Sequence, residues 1–424
     1  MSSSPRPLIL RTVTATALLL ALTGCAGTAG GNARLDTVEA SGDGALRIGL
    51  IQDSTGEQGF LSDSQRAAAQ LAVKEINAAG GHKGKPVELI IGAGDNAGLQ
   101  AGNLAAAKAD VVIGPTDSSQ AAGAIDVLAA ERIPLISPAN SAAALSTYKS
   151  GGYYFRTAAA DIAQASVLVK LAKDGGAKRI AVVHQDSDYG NDVSAAVSGA
   201  ATDAGLETVG TAAFTPGAAQ QAAAAAKAAK PDAVVLIARN GAQGALAELN
   251  NAGLSGSKLI LSDGAFAQYG SGLGSKALDG ARAVVPGVFV SAGFQARLLE
   301  VDPELKDLSF AAEAYDAVTL AALAAAAADD DAGRSIAANL IGVSGGNAGA
   351  DGPGAGQPGK PCLSYADCLT VLKSGAAVNY DGESGPVAFD SQGDITTANF
   401  IVFTYGADNR AGLSGREVAG RAAV

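Results

Sequence analysis

Between residues 46 and 138 the chain alternates short Val-, Ile- and Leu-rich runs with alanine-rich stretches of helical period, and this alternation constrains the fold more than any other feature. "LRIGLIQD", "PVELIIGAG", "DVVIGP" and "IPLISP" read as strands, and "SDSQRAAAQLAVKEINAAGG", "LQAGNLAAAKA" and "SQAAGAIDVLAAE" as helices. In the first helix Ala68, Leu71, Ala72 and Ile76 share one face, Ser62 and Gln65 fit a capping box, and Gly80 and Gly81 fit a stop. Strands apolar on both faces, each followed by a helix, predict an α/β fold with a parallel sheet covered on both sides.

The rhythm restarts after "YYFRTAAAD". "RIAVVHQD", "ETVGTAAF", "DAVVLIARN" and "KLILSDG" read as strands separated by alanine-rich helices over 191–204, 218–229 and 241–252. Two similar halves follow, as the 424-residue length already suggests. "AYDAVTLAALAAAAADDD" is apolar but short and mostly alanine, so it reads as a core helix rather than a membrane span. Residues 343–360, rich in Gly and punctuated by Pro, read as an exposed loop, and "PVAFDSQGDITTANFIVFTYG" as a late β segment. Residues 406–424 read as a loose tail.

Residues 1–24 carry Arg6 and Arg11 before the apolar run "ALLLALTG", the pattern of an export signal. It ends in "LTGC", which resembles the lipobox of bacterial lipoproteins and implies acylation at Cys25, giving an outer-face membrane anchor. The small, polar residues 25–45 read as a flexible tether with an r.m.s. span of about 25 Å. Cys362 and Cys368, six apart in an exported chain, are a candidate disulfide. A net charge of −11, more negative still without the signal, argues against nucleic-acid binding.

In parallel α/β sheets ligands sit beyond the carboxyl ends of strands, where helix starts present free N–H groups. Ser118 and Ser119 follow "DVVIGP" and Ser141 follows "IPLISPAN", so two neighbouring strand ends offer hydroxyls to a small anion. As helix caps the same serines would serve only their own helices. Asp186, Asp188 and Asp263, at strand ends of the second half, are candidates to meet an ammonium group, and each also fits a turn or cap. Tyr189 offers an apolar wall with a polar tip. "GAGDNAG" misses the dinucleotide spacing, and the sequence holds no Walker loop and no H-E-x-x-H. His82 and His184 stand in no recognisable triad or metal setting, so no metal, cofactor or enzyme is implied.

"IGLIQDSTGEQG", "AAQLAVKEINAAGGHKGKPVELII", "VVIGPTDSS", "IPLISPANS", "YYFRTAAAD", "RIAVVHQDSDYG" and "GPVAFDSQGDI", in this order and spacing, resemble the branched-chain amino-acid (leucine-binding) type of periplasmic solute-binding protein. The resemblance implies the type I periplasmic binding protein fold: two Rossmann-like lobes with parallel sheets, joined by a three-stranded hinge that lets them close on a ligand. The crossovers then fall near Thr157, Val284 and Asp381, so that lobe 1 comprises 46–157 and 284–380 and lobe 2 comprises 158–283 and 381–405. It further implies that Ser118, Ser141 and backbone groups at Ala139 hold the ligand carboxylate and amino group, that Asp263 meets the ammonium, and that Tyr189 is the aromatic wall. Phe60 and Asn240, with Arg239, occupy wall positions that depart from the family pattern. The implied function is a monomeric receptor that delivers an amino-acid-like ligand to an ABC permease and its ATPase. Alternatives are a ligand sensor for a membrane signalling partner, a binder of an amide or urea-like solute, and an anchored hydrolase.

Overall fold

The structure is a computed structural model and describes residue 1 and residues 34–53, 59–346 and 359–420. The export signal, Cys25 and most of the glycine-rich segment lie outside the described residues. Lobe 1 begins with β1 (Arg47–Leu50), α1 (Gly59–Ala78), β2 (Glu88–Ile91), α2 (Ala97–Ala106), β3 (Val111–Ile113), α3 (Ser118–Ala130), β4 (Leu135–Ser137) and β5 (Tyr154–Arg156). Their sheet is parallel, in the order β2-β1-β3-β4-β5.

Lobe 2 follows with α4 (Gln164–Asp174), β6 (Arg179–Gln185), α5 (Asp188–Asp203), β7 (Glu207–Phe214), α6 (Gln220–Ala228), β8 (Ala233–Ile237), α7 (Ala242–Asn251), β9 (Leu259–Leu261) and β10 (Arg282–Pro286). The chain returns to lobe 1 as α8 (Ala292–Val301), α9 (Ala311–Ala328), α10 (Gly333–Val343), β11 (Lys360–Cys362), α11 (Tyr365–Lys373), β12 (Val378–Gly382) and β13 (Gly385–Pro386). It ends in lobe 2 with β14 (Thr397–Tyr405) and β15 (Ala411–Gly420). The second sheet runs β15-β14-β10-β9-β8-β6-β7, parallel from β7 to β10 and antiparallel beyond. Strand order therefore reverses between β1 and β3 in one lobe and between β6 and β8 in the other.

The alanine-rich helix α9 is the centre of lobe 1. From Ala314 to Ala325 every side chain is buried, and α1 and α10 lie against it. It is long and apolar enough to cross a membrane, but its place inside the core accounts for that composition. "GAGDNAG" becomes the β2–α2 loop, where Asn96 caps α2 through the N–H of Leu99. Cys362 and Cys368 are bonded to each other, with Cα atoms 5.2 Å apart, where β11 meets α11.

Four expectations change. Helix α1 includes Gly59, so Ser62 lies inside it and is no N-cap. The supposed tether is attached to lobe 1 from Arg34 onward. The Arg34 guanidinium donates to the carbonyls of Gly152, Tyr154 and Gln392 and lies 4.4 Å from the Phe155 ring centroid. The N–H groups of Gly42, Gly44 and Ala45 donate to Asp330 and Asp331. The aspartates that follow α9 thus hold the incoming chain.

Residues 406–420 of the supposed tail are not loose either. β14 and β15 form a long hairpin turned at Asn409, which adopts φ 59° and whose side chain bonds Leu278 N–H and Gly274 O. The crossovers move as well. Val284 lies within β10, so the second crossing follows Pro286, and the third lies near Thr397 rather than Asp381. Buried Asp316 of α9 accepts from the Tyr380 hydroxyl and from the N–H groups of Glu383 and Ser384, which keeps β12 and β13 in lobe 1, and Phe389 fills the lobe 1 core.

Arg156, fully buried at the end of β5, joins these parts. Its Nε donates to Asp394 Oδ1 at 2.7 Å, Nη2 to Ser146 Oγ at 2.7 Å, and Nη1 to the carbonyls of Ala142 and Asn140 at 2.9 and 3.3 Å. Removing one partner of such a pair leaves the other charge uncompensated. Arg156→Met is expected to lower stability by about 3–5 kcal/mol, read as a fall in the urea midpoint; a change below about 1 kcal/mol would mean the pair contributes little.

Candidate functional site

Both strand-order reversals open onto one cleft of about 1060 Å³ between the lobes. Asp53 follows β1, Thr116 to Ser119 follow β3, and Ala139 and Ser141 to Ala144 follow β4. Across from them stand Asp161 and Gln164 at the start of α4, Asp188 and Tyr189 at the start of α5, Arg239 after β8 and Asp263 after β9. Open α/β sheets place ligands at such reversals.

The lobe 1 wall is held by side chains that bridge strand ends. Asn140 is fully buried and donates to the carbonyls of Pro115 and Thr116, while Ser137 Oγ donates to Pro115 O and accepts from Asn140 N–H. These bonds clamp the β3 and β4 loops together. Ser118 Oγ then accepts from the N–H groups of Ser141 and Ala142, at 3.1 and 3.4 Å, and keeps its own proton to donate.

The start of α3 is already filled. Asp117 caps the helix by accepting the N–H of Ser119 at 2.8 Å, and Asp53 accepts those of Thr116 and Asp117 at 2.8 and 2.7 Å. The N–H of Ala139 is turned inward onto Ser137 Oγ. An anion here meets side-chain hydroxyls rather than the helix end itself.

On the lobe 2 wall Asp263 is the centre of a network. Its Oδ1 accepts from the Tyr189 hydroxyl at 2.5 Å and from Gln164 Nε2 at 2.7 Å, and its N–H donates to Gln164 Oε1 at 3.1 Å. Oδ2 accepts no hydrogen bond from the described residues. Burial and the neighbouring Asp263 carboxylate push the Tyr189 phenol well above its ordinary value. Arg239 Nη2 lies 2.9 and 3.0 Å from the two oxygens of Asp161 and 3.3 Å from Ser141 Oγ, and its guanidinium carbon sits 4.3 Å from the Tyr189 ring centroid.

Ser118, Ser119, Ala139, Ser141, Tyr189 and Asp263 therefore all line one cleft. Phe60 and Asn240 do not. Phe60 is 41% exposed on the first turn of α1, and Leu61 lines the cleft instead. Asn240 gives its N–H to Gln185 Oε1, and its neighbour Arg239 enters the cleft. Of the remaining acid candidates Asp188 reaches the rim, whereas Asp186 is exposed away from the lining. Sequence reasoning passed over Asp161, Gln164 and Glu313. Only Asp161 left a signal, as the one acid closing "YYFRTAAAD".

A family model described as periplasmic binding protein matches residues 45–359. The chain belongs to the periplasmic binding protein family. Its relatives are solute-binding proteins rather than enzymes. The "Leu/Ile/Val-binding protein BraC3" of Rhizobium johnstonii is 33% identical over 179 residues, 41% of this chain and 48% of that protein. The match thus spans about half the length of that curated relative. Among solved structures, a branched-chain amino acid substrate-binding protein from Streptococcus pneumoniae in complex with isoleucine aligns with TM-score 0.58 and 22% identity, covering 89% of this chain and 100% of that one. A solute-binding protein from R. palustris in complex with 4-hydroxybenzoate aligns with TM-score 0.62 and 16% identity, covering 89% and 98%. These likenesses establish the two-lobed type I fold and leave the ligand to the cleft's own chemistry.

Two carboxyls of this periplasmic binding protein's cleft titrate high. Burial pushes Asp161 up to about 6, opposed by Arg239 and reinforced by Asp263. Burial at the first turn of α9 pushes Glu313 up to about 7. In the unfolded chain both titrate near 4. Between about 4 and 7 the folded state therefore binds more protons than the unfolded, and stability falls as pH rises. Partly buried Asp110 and fully buried Asp316, pushed to about 7 and 6, act in the same direction. The urea midpoint of ligand-free protein is expected to decline from pH 5 to pH 8, and Glu313→Gln is expected to flatten that decline; an identical slope in the variant would remove Glu313 as a cause.

Proposed function

We propose that this protein is an extracytoplasmic receptor that closes its two lobes on a small amino-acid-like zwitterion and delivers it to an ABC permease. The observation that carries the reading is the placement of Asp263 opposite Ser118 and Ser141 across one cleft. Asp263 is oriented by Tyr189 and Gln164 and has one carboxylate oxygen unengaged by the described residues, which suits an ammonium. Ser118, its oxygen already accepting two backbone N–H groups, suits a carboxylate as a donor. Each lobe then supplies half of the ligand's partners. Ligand shifts the open–closed equilibrium because only the closed state makes both sets of contacts. The names of two curated relatives, a Leu/Ile/Val-binding protein and a homologue of such a protein, support the amino-acid class.

Asp263→Asn keeps the shape and removes the charge. An ammonium buried without its counter-charge costs about 3–5 kcal/mol, so calorimetric titration of refolded, ligand-stripped protein should show at least a hundredfold weaker amino-acid binding in the variant. Undiminished affinity would refute the assignment.

The reading also includes export and lipid attachment at Cys25, with an outer-face location. Since the chain is bound to lobe 1 from Arg34 onward, only residues 26–33 separate the acylated cysteine from the body. Cells fed labelled palmitate are expected to incorporate label into the protein, and Cys25→Ser is expected to abolish it and release the protein from membranes. A variant that stays labelled would exclude Cys25 as the attachment point.

A further inference from the structure

The wall that should receive a ligand's side chain is covered by a guanidinium. Arg239 lies over the face of Tyr189, and its seat is built in. The N–H groups of Arg239 and Asn240 both donate to Gln185 Oε1, at 3.0 and 2.8 Å, fixing the loop to the end of β6. Gly264 leaves room for the stem, since a Cβ there would stand 2.7 Å from Arg239 Cγ and 2.7 Å from Ala238 O. Asp161, only 6% exposed, holds Nη2 with both oxygens, whereas the Arg239 side chain is 48% exposed to the cleft. Moving Arg239 away would strand a buried carboxylate, so the guanidinium stays when ligand enters.

Three ligand classes meet this wall differently. An aliphatic side chain would bury the Nε and Nη1 donors, which bond no described residue, without replacing their water. A second carboxylate would find the positive charge already neutralised by Asp161 and the acids Asp188 and Asp192 on the same lobe. A neutral carbonyl oxygen accepts from the open edge of the guanidinium and brings no charge.

Building on the zwitterion reading above, we propose that Arg239 is the specificity-determining residue of the cleft and that it selects an amino acid bearing an amide or ureido side chain over aliphatic and acidic ones. The test is calorimetric titration of refolded protein with glutamine, asparagine, citrulline, glutamate and leucine. The best of the three carbonyl-bearing, uncharged probes is expected to bind at least tenfold more tightly than either glutamate or leucine. In Arg239→Met combined with Asp161→Asn, which removes the pair without leaving a bare charge, that preference over leucine should fall at least tenfold. Arg239→Lys keeps Asp161 paired but loses the forked donors, and is expected to lose most of the preference with the fold retained.

Leucine or glutamate binding best in the unaltered protein would overturn the proposal and leave the zwitterion reading standing, as would an amide preference unchanged in both variants. Binding of none of the five would remove the zwitterion reading, and this proposal with it.

Discussion

The buried ion pair between Arg156 and Asp394 is the interaction on which the rest of the arrangement depends. Arg156 closes β5 at the first crossover, and Asp394 precedes the third. The same guanidinium reaches the carbonyls of Asn140 and Ala142, in the loop that presents Ala139 and Ser141 to the cleft. One fully buried cation thus ties two of the three hinge connections to a binding loop. Burying it is tolerable because its donors are matched by carboxylate, hydroxyl and carbonyl oxygens, whereas a single missing acceptor would leave the charge exposed to an apolar interior.

The hinge can bend only if what lies on either side of it is stiff. In lobe 1, Asp316 ties β12 and β13 to α9, and Asn140 and Ser137 tie the β3 and β4 loops to each other. In lobe 2, Gln164, Tyr189 and Asp263 form one network, and Gln185 fixes the loop that carries Arg239. Between these bodies, backbone contacts such as Asp161 N–H to Ser141 O at 2.7 Å and Gly287 N–H to Asn399 O at 2.8 Å surround the crossovers. Closure then carries preassembled half-sites together rather than building them, which leaves more of the contact energy available for affinity.

The strand–helix alternation made two α/β halves legible and put Ser118, Ser141, Tyr189 and Asp263 among the candidates, because each stands within a few residues of a strand end; the family resemblance is what joined the halves into hinged lobes and singled out Asp263 from Asp186 and Asp188. What escaped were features set by phase and by distant partners. The family resemblance puts Phe60 on the cleft wall, but α1 already includes it, and a helical step of one residue turns a side chain by about 100°; hence Leu61, not Phe60, faces the cleft. The second strand of the final hairpin was invisible because β15 is mostly exposed and rich in Gly and Ala, with no alternation to betray it. The attached segment 34–45 was invisible for a related reason. Its small residues offer backbone N–H groups, and their acceptors lie almost three hundred residues away at Asp330 and Asp331.

The cleft is acidic, yet its acids are not equivalent, and their partners say which one is left for a ligand. Asp53 and Asp117 are engaged by backbone N–H groups around the start of α3. Asp161 is matched by Arg239. Glu313 lies at the hinge, where burial holds its carboxyl partly protonated near neutral pH. Asp188 and Asp192 stand exposed at the rim, where water screens them. Asp263 alone combines a fixed orientation, from two donors on one oxygen, with a second oxygen directed to no described partner. A cation entering this cleft therefore gains most at Asp263. The wall beside Asp263, capped by a guanidinium whose charge is already balanced, is left to discriminate by hydrogen bonding rather than by charge.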